Sequence, residues 1–139
     1  MPDRPLIFCT SSFRTSIDQL TKRGSNGYSS CHADLCNSLK NLSFDDFYSL
    51  STNIREMGLV RVLKVRIPNS NQSLGSSAGY RCILLCNNVA NHIAFLTIYP
   101  KRGKYGKPNI STYELKVLLK EYALEFKNAT MKPYSFEPL

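Results

Sequence analysis

The sequence has no long hydrophobic run. Its 139 residues are 42% apolar, enough for a folded core, yet no segment approaches the roughly 18 consecutive apolar residues of a membrane span. The apolar group at residues 6–8 is too brief for the hydrophobic region of a secretory signal peptide. We therefore expect a soluble cytoplasmic protein with no membrane partner, of a length typical of one domain.

The cysteines lack the pattern of a disulfide framework. There are five, an odd number, and their irregular spacing is typical of a reducing compartment. Cys82 and Cys86 lie in one predicted strand, about 13 Å apart at about 3.3 Å per residue, which is too far for a disulfide. Cys31, His32 and Cys36 could contribute to a zinc site, but no second pair of ligands follows them. We therefore predict no metal site and no cofactor.

Acidic residues are absent from a long central segment. Between Met57 and Lys107 there is no Asp or Glu, and the eight basic residues there equal the whole formal net charge of +8. The remaining ten basic residues of the chain balance its ten acidic ones. The excess charge is carried by Arg61, Lys64, Arg66, Arg81, Lys101, Arg102, Lys104 and Lys107.

Tyr80, Tyr99 and Tyr105 are interleaved with these basic residues. Lys and Arg neutralise phosphates and aromatic rings stack on bases, so the pattern is typical of a nucleic-acid-binding face. A basic face that serves only solubility is the alternative interpretation. Charge alone does not separate the two.

The basic segment has the periodicity of β-strands. Residues 61–67 alternate, which predicts a strand with an apolar face and a second face that carries Lys64 and Arg66. Two apolar segments, 80–86 and 92–99, predict an antiparallel hairpin of central strands. The basic side chains should therefore converge on one side of a sheet.

The flanks of this sheet have helical patterns. Capping boxes at Ser43 and Ser111 predict helix starts, and the helix after Ser111 carries an apolar stripe at helical spacing. The predicted elements are a strand at 5–9, a helix from an N-cap at Ser11 or Ser12 to Gly24, helices at about 30–41 and from Ser43 to Gly58, and the helix after Ser111.

This order predicts an α+β fold. We expect an antiparallel, mixed-edge sheet of about four strands, flanked by N-terminal helices and one C-terminal helix. The domain should span residues 1–127, with 20–57 as a helical insertion of unknown role. Residues 128–139, which include two prolines, are expected to form a loose tail.

Several segments, in this order, resemble the RelE/ParE superfamily of bacterial toxin–antitoxin toxins, especially the RelE- and HigB-type mRNA interferases. The resemblance covers residues 58–125 and leaves 20–57 unmatched. The matching segments are "KVRI" at 64–67, "SSAGYR" at 76–81 with the apolar hairpin after it, "YPKRGKY" at 99–105 and "ISTYELKVLLKEY" at 110–122.

The resemblance implies a compact RelE-like endoribonuclease that cleaves mRNA in the ribosomal A site without a metal ion and so inhibits translation. Its implied partners are the ribosome, mRNA and a cognate antitoxin, with the toxin either monomeric or in a hetero-oligomer with the antitoxin. By position, the implied catalytic residues are Lys64, Arg66, Arg81, Arg102 and Tyr105, and the implied RNA-binding residues are Arg61, Tyr99, Lys101, Lys104 and Lys107.

The match is incomplete at the proton-transfer groups. The family often pairs two lysines where this chain has Lys64 and Arg66, and arginine is a poor general base because its pKa exceeds about 12. Proton removal then falls to Lys64, Tyr105 or Tyr113. His92 lies at the predicted hairpin turn, which we expect to be remote from the basic face.

Two other functions remain open. A ParE-like toxin would poison DNA gyrase through the same fold without a catalytic set, although a gyrase poison needs no phosphate-binding cluster at these positions. A basic nucleic-acid-binding module without cleavage activity would bind RNA in a salt-sensitive way.

Overall fold

A computed structural model describes residues 5–22, 28–50, 53–72, 75, 78–101, 106–107 and 109–136. Helices and strands alternate along the described chain. The elements are β1 (Leu6–Cys9), α1 (Ser11–Thr21), α2 (Cys31–Leu39), α3 (Phe44–Tyr48), β2 (Asn53–Met57), β3 (Val60–Ile67), a 3-10 turn (Ser70–Gln72), β4 (Tyr80–Asn87), β5 (His92–Pro100), α4 (Thr112–Lys127) and β6 (Lys132–Pro133).

The strands form one mixed sheet in the order β2-β3-β4-β5-β1-β6. β1 pairs with β5 in parallel, and the other neighbours are antiparallel. The predicted α+β class is confirmed, but the sheet has six strands in the described chain rather than about four. The additional strands are β2 and β6, one at each edge.

The prediction of one helix from Ser43 to Gly58 is wrong. The capping box is present, since Ser43 Oγ accepts from Asp46 N and the Asp46 carboxylate accepts from Ser43 N, but α3 ends at Tyr48. Asn53–Met57 instead pairs with β3. Gly58 has a φ of +65°, which suits a tight turn into β3 and would strain another residue. Tertiary pairing therefore overrides the local helical pattern.

Both faces of the central strands are covered, and every residue of β4 is buried. On one face, the side chains of α1, α2 and α3 pack against the sheet, including Phe13, Leu35 and Phe47. On the other face, Leu115, Leu118 and Tyr122 of α4 pack against β3, β4 and β5, and this side is called the α4 face below. The predicted helical insertion thus contributes α2 and α3 to the same core as the sheet.

The helix starts are set by hydroxyl caps. Ser111 and Glu114 form the predicted capping box of α4. α1 begins earlier than predicted, because Thr10 rather than Ser11 or Ser12 caps it through Phe13 N. Leu115, Leu118 and Tyr122 of the predicted stripe of α4 are buried, whereas Phe126 is 45% exposed.

The predicted loose tail packs against the sheet over residues 132–136. Lys132–Pro133 pairs with β1, and Tyr134 N donates to Ile7 O at 2.9 Å. The Tyr134 ring lies 5.3 Å from the rings of both Phe13 and Phe95. Aromatic packing therefore orders residues 132–136, although the proline in this segment suggested an irregular structure. In the part of the chain described above, no helix is long and apolar enough to cross a membrane.

Candidate nucleic-acid interface

Three predicted site residues lie side by side across the sheet. Arg66 of β3 is directly opposite Arg81 of β4, and Arg81 is directly opposite Tyr99 of β5. Directly paired residues project from the same face of a sheet. Tyr99 packs with the residues beneath α4, so this Arg66–Arg81–Tyr99 row lies on the α4 face.

Gly79 fixes the position of Arg81 at the start of β4. A Cβ atom at residue 79 would lie 2.2 Å from Ile67 O and 2.8 Å from Asn69 N, both backbone atoms. Gly79 O also accepts from Lys101 N at 2.9 Å. Only glycine allows the backbone segments on either side of β4 to approach this closely. The glycine of the "GYR" motif thus has a packing role.

Arg81 is buried rather than extended into solvent. The residue is 3% exposed, and a terminal nitrogen of its side chain donates to Tyr80 O at 3.2 Å. Burial lowers the pKa of Arg81, and the neighbouring charge of Arg66 lowers the pKa further, while Tyr99 opposes both. An arginine stays protonated near neutrality despite such a shift. Arg81 is therefore a fixed positive charge just beneath the surface.

Tyr99 is a buried neutral phenol. Burial raises its pKa, against the opposing effect of the Arg81 charge. Its hydroxyl therefore stays protonated near neutral pH, where it can donate a proton or a hydrogen bond but does not serve as a base. Lys107 Nζ lies 5.3 Å from the centre of the Tyr99 ring, which brings a second cation to this end of the row.

Lys64 and Lys107 flank the row through contacts that the sequence did not reveal. Lys64 Nζ donates to Asn109 Oδ1 at 3.2 Å, and Lys107 Nζ pairs with Glu114 Oε2 at 2.6 Å. The hydrogen bond from Lys107 lowers the pKa of Glu114. In the sequence, the only indication that Glu114 contacts the basic residues is that it is the first acidic residue after the basic segment. Asn109, before α4, thus brings an amide to Lys64, and Glu114, in the first turn of α4, brings a carboxylate to Lys107.

The structure places one predicted site residue, Arg61, away from the row. Arg61 is opposite Cys86, on the face covered by α1–α3, where it pairs with Glu56 at 2.8 Å and lies 4.4 Å from the Tyr48 ring centre. Lys101 is exposed just after β5, and Tyr113 is 75% exposed in the first turn of α4. Arg102, Lys104 and Tyr105 lie outside the described residues.

The structure places His92 at the far end of the α4 face. His92 begins β5 and Tyr99 lies near its end, so the two residues are about 23 Å apart at about 3.3 Å per residue. His92 is buried, and its Nε2 lies 2.7 Å from Tyr122 Oη. Cys31 is part of the core, and the described residues contain no cluster of three His, Cys, Asp or Glu able to hold a metal ion.

The geometry of the row suits anion binding. Arg66 is exposed and forms no ion pair with any described residue, while the fixed charge of Arg81 lies beside it. Two adjacent guanidinium groups repel each other, and a phosphate relieves that repulsion by accepting hydrogen bonds in a planar, forked geometry. Comparison of the chain with models of protein families, with curated proteins and with solved structures finds no match.

Proposed function

We propose that this protein is an endoribonuclease toxin that cleaves mRNA on the ribosome and is held inactive by a cognate antitoxin. The observation that carries the proposal is the direct opposition of Arg66 and Arg81 on one face, with Tyr99 as the next residue in the row. The acid-free segment supplies Lys64 and Lys107 on either side. Such a cluster fits the charge of a phosphodiester better than that of a protein surface.

In the proposed reaction, the ribose 2′-oxygen attacks the adjacent phosphorus. The bond from the 2′-oxygen to phosphorus forms, the bond from phosphorus to the 5′-oxygen breaks, and the products are a 2′,3′-cyclic phosphate and a 5′-hydroxyl. The equatorial oxygens gain negative charge on the way. Arg66 contacts these oxygens, and Arg81 stabilises the same charge from below without reorganising.

Two protons must move during this reaction. One leaves the 2′-hydroxyl, and the other reaches the departing 5′-oxygen. Lys64, Tyr105 and Tyr113 remain the proposed candidates for proton removal. Tyr99 stays protonated because burial raises its pKa, so its part is to support Arg81 and the phosphate rather than to act as a base.

A second candidate is an RNA-binding module without cleavage activity. The burial of both Arg81 and Tyr99 favours it, because these side chains expose little surface to a reacting phosphate. Such a module would use the exposed Arg66 and Lys101 for phosphate contacts. For single-stranded RNA, each lost phosphate contact reduces the salt slope of log K by about 0.7.

Primer extension on a defined mRNA, in a reconstituted translation reaction with and without the protein and with and without ribosomes, separates these candidates. The proposal predicts truncated extension products that depend on ribosomes, and upstream mRNA fragments whose 3′ ends carry a 2′,3′-cyclic phosphate. Full-length mRNA, together with salt-sensitive binding of the same RNA, would favour the binding module. Intact mRNA without RNA binding, and with inhibition of DNA gyrase in a supercoiling assay, would point to the ParE-like alternative.

A further inference from the structure

A pocket lies on the α4 face, at the end opposite to the Arg66–Arg81–Tyr99 row. It has a volume of about 290 Å³ and opens between β1, the start of β5 and the C-terminal turn of α4. Its size is near the lower limit for small-molecule sites. The lining includes Leu6, Phe8, His92, Glu125, Phe126 and Met131. The pocket wall is thus largely apolar and aromatic, with one carboxylate in it.

Glu125 has an unsatisfied oxygen in this wall. The residue is only 9% exposed, and its Oε2 accepts a hydrogen bond from Ser11 N at 3.2 Å. Its buried Oε1 has no hydrogen-bond partner, and no Lys or Arg among the described residues pairs with it. Leaving a buried acceptor without a donor costs about 1–3 kcal/mol, and more for a charged group. The site therefore favours a ligand that brings a donor.

Aromatic rings complete the pocket. The His92 ring centre lies 5.0 Å from that of Phe126 and 5.6 Å from that of Phe8, both in edge-to-face geometry. The contact between His92 Nε2 and Tyr122 Oη holds the imidazole in place. Aromatic faces attract cations, and the Met131 thioether adds a polarizable surface. The carboxylate and the aromatic rings together favour a ligand in which a positively charged group is attached to an apolar group.

We propose that this pocket binds a compact organic cation, an ammonium ion with an aromatic or branched aliphatic substituent. The ammonium group pairs with the Glu125 carboxylate, and the substituent packs against Phe8, Phe126 and Met131. The carboxylate repels anions, and neutral analogues bind more weakly because they lack the positive charge. This inference does not depend on the proposed RNA cleavage, because the basic row lies at the opposite end of β5.

Calorimetry with benzylammonium as the probe and benzyl alcohol as its neutral analogue tests the proposal. We expect saturable binding of benzylammonium at neutral pH and at least tenfold weaker binding of the alcohol. Glu125→Gln removes the charge but retains an oxygen for Ser11 N, so it should weaken benzylammonium binding at least tenfold. Equal binding of the two probes, or no saturable binding of benzylammonium, overturns the proposal.

Two further variants make the test specific. Glu121 lies one turn earlier on α4 and accepts from Ser12 N and Ser12 Oγ, so Glu121→Gln is a matched loss of charge that should leave binding unchanged. Ala90→Leu fills part of the pocket while Glu125 itself is unchanged, and it should also weaken benzylammonium binding at least tenfold. It keeps the proposal testable if Glu125→Gln does not fold. Unchanged binding in Ala90→Leu contradicts the assigned location.

Discussion

Arg66 and Arg81 lie directly opposite each other on β3 and β4, with both side chains on the α4 face. Like charges at directly opposed positions of antiparallel strands destabilise the sheet. Here the repulsion also lowers the pKa of Arg81, in addition to the larger effect of burial. The unfavourable pairing of Arg66 with Arg81 is explained if a bound anion offsets the repulsion between the two guanidinium groups.

Replacing Arg66 should therefore stabilise the free protein and weaken its response to phosphate. We expect Arg66→Gln to raise the free energy of unfolding by about 0.5 kcal/mol at low salt, since it removes one like-charge pair. Wild type should gain about 1.4 kcal/mol when inorganic phosphate is present at ten times its dissociation constant, and the variant should gain less. Urea unfolding across a phosphate titration measures both effects.

Lys40→Gln is the matched control, because Lys40 is exposed at the end of α2, on the opposite side of the sheet. It should respond to phosphate as wild type does. If phosphate stabilises wild type and Arg66→Gln equally, the row does not bind the anion.

Gly79 should be intolerant of even one methyl group. In Gly79→Ala the new Cβ would lie 2.2 Å from Ile67 O, so the backbone must shift. We expect a loss of about 1–3 kcal/mol in the free energy of unfolding, the usual cost of overpacking. Gly75→Ala is the control: a Cβ there meets no atom within 4 Å, and its effect should be within about 0.5 kcal/mol of zero. Equal urea midpoints for the two variants would contradict the packing role of Gly79.

The Lys107–Glu114 pair should make stability depend on acidic pH. The pKa of Glu114 is lowered from 4.5 in the folded state, chiefly by the hydrogen bond from Lys107. A lowered carboxyl pKa contributes stability above about pH 4.5, and this contribution is lost as the pH falls through the folded-state pKa. Glu114→Gln and Lys107→Met should therefore each flatten the decline of melting temperature below about pH 4.5. A decline as steep as that of wild type in both variants would show that the pair contributes nothing.

The strands β3, β4 and β5 and the helix α4 were predictable because their patterns are local. Alternation and a capping box depend on neighbouring residues alone, and alternation put Lys64 and Arg66 on one face of their strand. Alternation further implies that Arg61, three positions before Lys64, lies on the opposite face of the strand. The sequence itself therefore indicated that Arg61 is separated from Lys64 and Arg66.

Other features depend on contacts distant in sequence. β2 exists because Gly58 lets Asn53–Met57 fold back onto β3, which outweighs the helical pattern after Ser43. The burial of Arg81 is another such feature, since no local pattern of the sequence indicates it. The pairing of Lys107 with Glu114 depends on how the segment before α4 folds back over Tyr99.

The most direct test of the central claim is the rate of ribosome-dependent mRNA cleavage by Arg66→Ala, measured by primer extension beside wild type and Lys40→Ala. Arg66 is exposed, so its loss should not unfold the protein. If Arg66 holds the reacting phosphate, its removal should slow cleavage about 10²- to 10³-fold, as for the loss of one preorganised charge stabiliser. Lys40→Ala should cleave at the wild-type rate. Cleavage by Arg66→Ala at the wild-type rate, or intact mRNA with wild type itself, would contradict the proposed function of the row.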